Sequence, residues 1–122
     1  SCNASVQSAV HPHACQAAIM ARCAGEKGLF WPYHNKVFSN QNDLSKDNLN
    51  TWAREVGLSS SDIQTCLGPR LNELKDKIKD DIALAGRINV SGTPTIYING
   101  RQYIGDRTFE AMAREINKLL NE

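Results

Sequence analysis

The chain has 122 residues, of which 41% are hydrophobic and 22% charged, proportions of one folded globular domain rather than of a disordered chain. Fourteen Lys and Arg against thirteen Asp and Glu leave a net charge of +1, without the basic stripe of a nucleic-acid-binding chain. Apolar runs of three or four residues fall far short of the ~20 that cross a bilayer, and no basic-then-apolar leader opens the sequence, so neither membrane insertion nor an uncleaved signal peptide is expected.

Residues 1–10 are small and polar apart from Val6 and Val10 and read as an irregular lead-in. Pro12 suits the first turn of a helix, and a helix is expected from Pro12 to Ala24. Its Ala14, Ala17, Ala18, Ala21 and Ala24 form a close-packing face beside Cys15, Ile19 and Cys23 at i, i+4, i+8. A second helix is expected from Phe30 to Asn40, and Asn40 to Asp43 read as a polar loop. Trp31 and Trp52 are expected as core anchors. Ser45 caps a third helix whose Leu49, Trp52, Ala53 and Val56 recur at i, i+3, i+4, i+7, and Gly57 ends it. Ser59 to Ser61 offer the cap of a short fourth helix with Ile63, Cys66 and Leu67. Gly68-Pro69 breaks it and opens the longest helix, striped by Leu71, Leu74, Ile78, Ile82 and Ala85, with Lys75 to Asp81 as a solvated face and Gly86 as its stop.

The period then changes from helical to two. Thr95-Ile96-Tyr97-Ile98 and Arg101-Gln102-Tyr103-Ile104 flank Asn99-Gly100, the turn pair that tolerates φ > 0 at both positions, so a β-hairpin is expected. A last helix carries Phe109, Met112, Ile116, Leu119 and Leu120 on one side. Two strands by themselves are marginal in water and leave both outer edges unpaired. The pattern is that of part of a sheet.

Cys2, Cys15, Cys23 and Cys66 stand 13, 8 and 43 positions apart, and none of these spacings is a Cys-x-x-Cys. Four buried thiols or two structural disulfides both fit. Cys15 and Cys23 are one helix apart by ~12 Å of rise, whereas bridged Cα atoms sit ~4.4–6.8 Å apart, so those two do not pair. Cys2–Cys15 with Cys23–Cys66 and Cys2–Cys23 with Cys15–Cys66 remain, and the nearness of Cys2 to the first turn favours the former. On the chain-entropy model the 43-residue closure stabilises by about 4 kcal/mol and the 13-residue one by about 3. His11, His13 and Cys15 alternate, but alternate helical residues diverge by ~200°. They do not converge on an ion even with His34, and no metal or other cofactor is expected. Asn3-Ala4-Ser5 and Asn89-Val90-Ser91 match the glycosylation pattern, a short one that arises often by chance.

Val90-Ser91-Gly92-Thr93-Pro94-Thr95, entering a hairpin and then a terminal helix, resembles the second half of the thioredoxin fold. The strings His11-Pro12-His13-Ala14-Cys15-Gln16-Ala17-Ala18 and Cys23-Ala24-Gly25-Glu26-Lys27-Gly28-Leu29-Phe30-Trp31 resemble the helical insertion of DsbA-type thiol–disulfide oxidoreductases. They are most similar to the subgroup also fused to vitamin K epoxide reductase-like membrane proteins. The resemblance spans nearly the whole chain. It implies an α/β, partial thioredoxin-like fold in a single domain over 1–122, with a helical insertion at 11–87 and a cis-proline loop, hairpin and terminal helix at 88–122. The family's N-terminal βαβ segment, with its Cys-x-x-Cys, has no counterpart here. No catalytic residue is therefore assigned.

The resemblance carries over Thr93 and Pro94 as substrate-binding residues: the proline is expected to be cis, and the main chain before it to bond an extended client. It implies protein thiol or disulfide substrates, an extracytoplasmic location, and a processed or fragment chain without redox activity of its own. A missing N-terminal segment or a second copy at the hairpin edge is the implied further partner. The alternatives are a non-catalytic binding module that takes a partner strand on its open hairpin edge, and a cytosolic helical protein with free thiols.

Overall fold

The structure, a computed structural model, describes residues 2–6 and 11–122; the rest of the expected lead-in, Val10 included, lies outside the described residues. The chain divides into two compact units, Ser1–Leu84 and Ala85–Glu122. In the first, α1 (Ala14–Gly25), α2 (Phe30–Ser39), a 3-10 turn (Gln41–Asp43), α3 (Lys46–Glu55) and α4 (Ser60–Leu67) lead into α5 (Leu71–Arg87), which runs on into the second. There β1 (Tyr97–Ile98), β2 (Arg101–Gln102) and α6 (Phe109–Leu120) complete the order. The described residues are mostly helical, with one small antiparallel sheet.

Local sequence explains most boundaries. Ser45 Oγ accepts from the Asn48 N–H at 3.1 Å, and Thr108 Oγ1 from the Ala111 N–H at 3.2 Å. Ser59 and Asp62 form a reciprocal capping box at the start of α4. Gly57, at φ 117°, ends α3 by letting Leu58 N–H reach the Ala53 carbonyl at 3.0 Å, which drops the Leu58 side chain into the core.

Four expectations need correction. First, α1 begins at Ala14, because residues 11–13 form a turn in which the His11 carbonyl accepts from Ala14 N–H. Pro12 belongs to that turn and not to the helix. Second, Gly86 does not stop α5. The helix continues to Arg87, and Asn89 at φ 58° supplies the left-handed terminus, with Val90 N–H donating to Ala85 O at 2.9 Å and Asn89 N–H to Gly86 O at 3.2 Å. Third, the strands are two residues each. Tyr97 pairs with Gln102 and Ile98 with Arg101, and beyond them Tyr103 N–H still reaches Ile96 O at 2.8 Å. With no third strand among the described residues, nothing extends the ladder to Thr95 or Ile104. Fourth, Trp31 is 66% exposed and is no core anchor, whereas Trp52 is buried. The buried face of α2 is the one carrying Tyr33, one turn before half-buried Val37.

The core lies in the first unit. Ile19, Met20, Cys23 and Ala24 of α1 meet Tyr33, Leu49, Trp52, Ala53, Ile63, Cys66 and Leu74. The Tyr33 hydroxyl donates to the Leu49 carbonyl, and burial pushes its ionisation well above the usual tyrosine value. Two disulfides join Cys2 to Cys15 and Cys23 to Cys66, with Cα separations of 5.4 and 6.2 Å, and no cysteine is free. Arg70, after the Gly68-Pro69 break, grips Glu26 of the turn after α1 at 2.6 and 2.9 Å and Glu73 at 2.9 Å. Its hydrogen bonds hold both carboxyl groups below their usual range, Glu73 at about 2. The solvated face expected at Lys75 to Asp81 is exposed apart from Lys75 and Ile78, and it is partly tied down. Asp81 pairs with Arg22, and Lys77 with Glu73 at 3.0 Å.

Candidate functional site

The second unit presents a loop, an edge and a cleft. The Thr93–Pro94 peptide bond is cis, and both residues are exposed. No described residue hydrogen-bonds the Thr93 N–H or carbonyl; the Thr95 hydroxyl bridges the loop instead by donating to Gly92 O at 2.5 Å. In the antiparallel ladder, Tyr97 and Gln102 form the pair flanked by the hydrogen-bonded positions, so their main-chain groups turn outward. Thr95 leads into this edge outside the ladder, and Thr93 lies before it in the bend of the cis-proline loop, so Thr95 and Tyr97 make a short free row. Free N–H and C=O groups in such a row bond either water or an added strand.

The cleft beside this edge encloses about 320 Å³ between the loop and Gln102 to Gly105, with Arg107 at its rim. Tyr103 lines it, and Tyr97 stands on the neighbouring strand. Tyr97 donates its hydroxyl to the Ile88 carbonyl at 2.8 Å, tying β1 to the end of α5, and Tyr103 donates to the Asp106 carbonyl at 2.8 Å. The Tyr103 ring lies over Gly105 so closely that a Cβ there would stand 2.7 Å from the hydroxyl oxygen. Asn99 and Gly100 both have positive φ, 48° and 76°, as the two-residue turn requires.

The structure keeps the sequence-derived site residues in separate places. Thr93 and Pro94 adjoin the free edge, while all four cysteines are engaged in the disulfides of the first unit. Cys15 is thus not available as a metal ligand beside His11 or His13, and His34 sits in an aromatic row on α2. Its ring lies 5.8 Å from that of Phe30, 5.2 Å from Trp31 and 4.4 Å from Phe38. The i, i+4, i+8 spacing of Phe30, His34 and Phe38 was a readable signal for that row. Tyr97, Tyr103 and Arg107 are site residues that pattern reasoning passed over; the Gly105-Asp106 pair after the second strand is the one local signal for the Tyr103 clasp.

The family profile described as thioredoxin matches residues 6–118 of the chain. Among curated proteins, a segment of a Na(+)/H(+) antiporter NhaA 1 of Salinispora arenicola is 33% identical over 107 residues, 88% of this chain and 16% of that protein. The Na(+)/H(+) antiporter NhaA 3 of Salinispora tropica matches over the same shares at 33%. The NhaA antiporter of Herminiimonas arsenicoxydans is 32% identical over 96 residues, 78% of this chain and 15% of that protein. The chain thus spans only about 16% of the length of the first two relatives, and among its described residues no helix is long and apolar enough to cross a membrane. No solved structure matches it significantly.

Proposed function

The chain belongs to the thioredoxin family, and from that premise we propose that it is the client-binding part of an extracytoplasmic thiol–disulfide oxidoreductase of the DsbA type. Residues 88–122 supply the substrate platform around Thr93 and Pro94, and the helices of 11–87 form a cap. A redox pair carried on polypeptide outside these 122 residues performs the exchange. The platform itself holds no cysteine and exchanges no disulfide.

The observation that carries this reading is exposed Thr93, whose N–H and carbonyl no described residue hydrogen-bonds, in the cis-proline loop that leads to the free edge of β1. An extended client adds there as a strand, bonded by its main chain and therefore accepted with many sequences. Proline at 94 contributes no N–H of its own, which leaves no unpaired donor facing a reacting sulfur. Two disulfides are in keeping with an oxidising compartment. The antiporter names belong to whole relatives of which this segment is a small share, and ion exchange is not part of the proposal.

The test is binding of an extended, cysteine-containing peptide to the chain, followed by amide NMR. Shifts concentrated at Thr93, Thr95 and Tyr97 are expected, and Thr93→Pro, which removes one donor, weakens binding about tenfold, the value of one net hydrogen bond of ~1–1.5 kcal/mol. Shifts confined to the helices of the first unit would sink the proposal. The same open edge favours a second reading, a binding module that pairs with another copy of itself. Under that reading light scattering gives a dimer, and β1 amides gain exchange protection with concentration.

A further inference from the structure

The two disulfides have unlike surroundings. Cys23 and Cys66 are 2% and 4% exposed and belong to the core, between α1 and α4. Cys2 and Cys15 are only partly buried and pack at the rim of that core. Cys2 lies in residues 2–6, which form no helix or strand, so displacing its sulfur breaks no regular element. Cys15 is the second residue of α1, where no side chain caps the helix and no acidic residue stands in the first turn. The positive end of the helix is thus left to stabilise a thiolate at Cys15.

We propose that Cys2–Cys15 is a thiol–disulfide exchange site, opened by a small thiol or a protein dithiol at Cys2 with Cys15 as the leaving sulfur, while Cys23–Cys66 stays closed. This assignment does not rest on the client platform of the second unit. An external thiolate attacks Cys2 Sγ in line with the S–S bond. A mixed disulfide forms on Cys2, the Cys2–Cys15 bond breaks, and the electron pair leaves on Cys15 Sγ. A second thiolate then attacks the external sulfur of the mixed disulfide and releases the Cys2 thiolate. The reductant ends as a disulfide, oxidised by two electrons, and the protein pair gains two. The direction follows from leaving-group strength, since the sulfur better stabilised as thiolate departs faster. The reverse sequence, with an external disulfide, closes the bond again.

The experiment uses the folded chain at neutral pH in reduced glutathione, with timed acid quenching, alkylation and peptide mass mapping. Opening of Cys2–Cys15 is expected at least about tenfold faster than that of Cys23–Cys66, because the buried bond is reached only after the core opens. The trapped mixed disulfide is expected on Cys2. In Cys2→Ser, whose fold is checked by circular dichroism, alkylation of Cys15 should titrate below about 7.5, against ~8.5 for an unperturbed thiol. Equal opening rates, prior opening of Cys23–Cys66, glutathione on Cys15, or an alkylation midpoint at 8.5 or above would each overturn the assignment.

Discussion

Tyr33 and Tyr103 solve the same problem, a ring with a polar end, in opposite settings. Tyr33 is enclosed, and its hydroxyl reaches a main-chain carbonyl inside the core. Tyr103 is half-exposed, and its hydroxyl closes a short loop onto Asp106 O with Gly105 beneath the ring. A methyl group at position 105 has no room, so the ring must swing away and surrender the 2.8 Å bond to Asp106. Gly105→Ala should therefore cost about 1 kcal/mol, the net worth of one such bond. The loss should appear locally, as faster hydrogen exchange at the Tyr103 N–H that pairs with Ile96 O, while amides of α1 and α3 keep their protection. Unchanged exchange at Tyr103 would mean that the ring is not held by this clasp.

Among the elements, the turn from α4 into α5 is held by charge. Arg70 donates to Glu26 and Glu73, so both carboxylates are favoured as anions in the folded chain. The folded value of Glu73, about 2, lies below its ordinary 4.5. The contribution of the pair is thus complete above the ordinary value and disappears as pH falls toward 2. Arg70→Gln should be slightly less stable than the parent in urea titrations above pH 5, by a small amount because the groups are exposed, and the two should converge near pH 2. A gap that widens on acidification would contradict this linkage. Caps and stripes of this kind were readable in the sequence: Ser45, Ser59, Gly57 and the Leu71–Leu74–Ile78 row stand where local chemistry put them. The misses have physical causes. Pro12 can form a turn as easily as a first helical position, Asn89 took the left-handed role expected of Gly86, and Trp31 stands two residues before Tyr33, about 200° around the helix from the face that Tyr33 buries.

At the scale of the molecule, apolar residues in a period predict a face but not what covers it. The last-helix stripe and the hairpin were legible as amphipathic elements, yet no residue of Ala85–Glu122 is among the buried ones. Ile104 is 88% and Phe109 82% exposed, and both edges of the two-stranded sheet are open among the described residues. A hairpin with such faces gains little from its own burial, which is why its strands stop at two residues each. Removing these side chains should then cost the chain almost nothing. Ile104→Glu combined with Phe109→Ser is expected to leave the helical circular dichroism and the melting midpoint essentially unchanged, within about 0.5 kcal/mol for surface substitutions. Binding of an apolar fluorescent dye should fall at the same time, because contiguous exposed apolar area is what such a dye detects. A loss of stability well beyond that margin would show that Ile104 and Phe109 are packed against something, and that these elements are not open in the isolated chain.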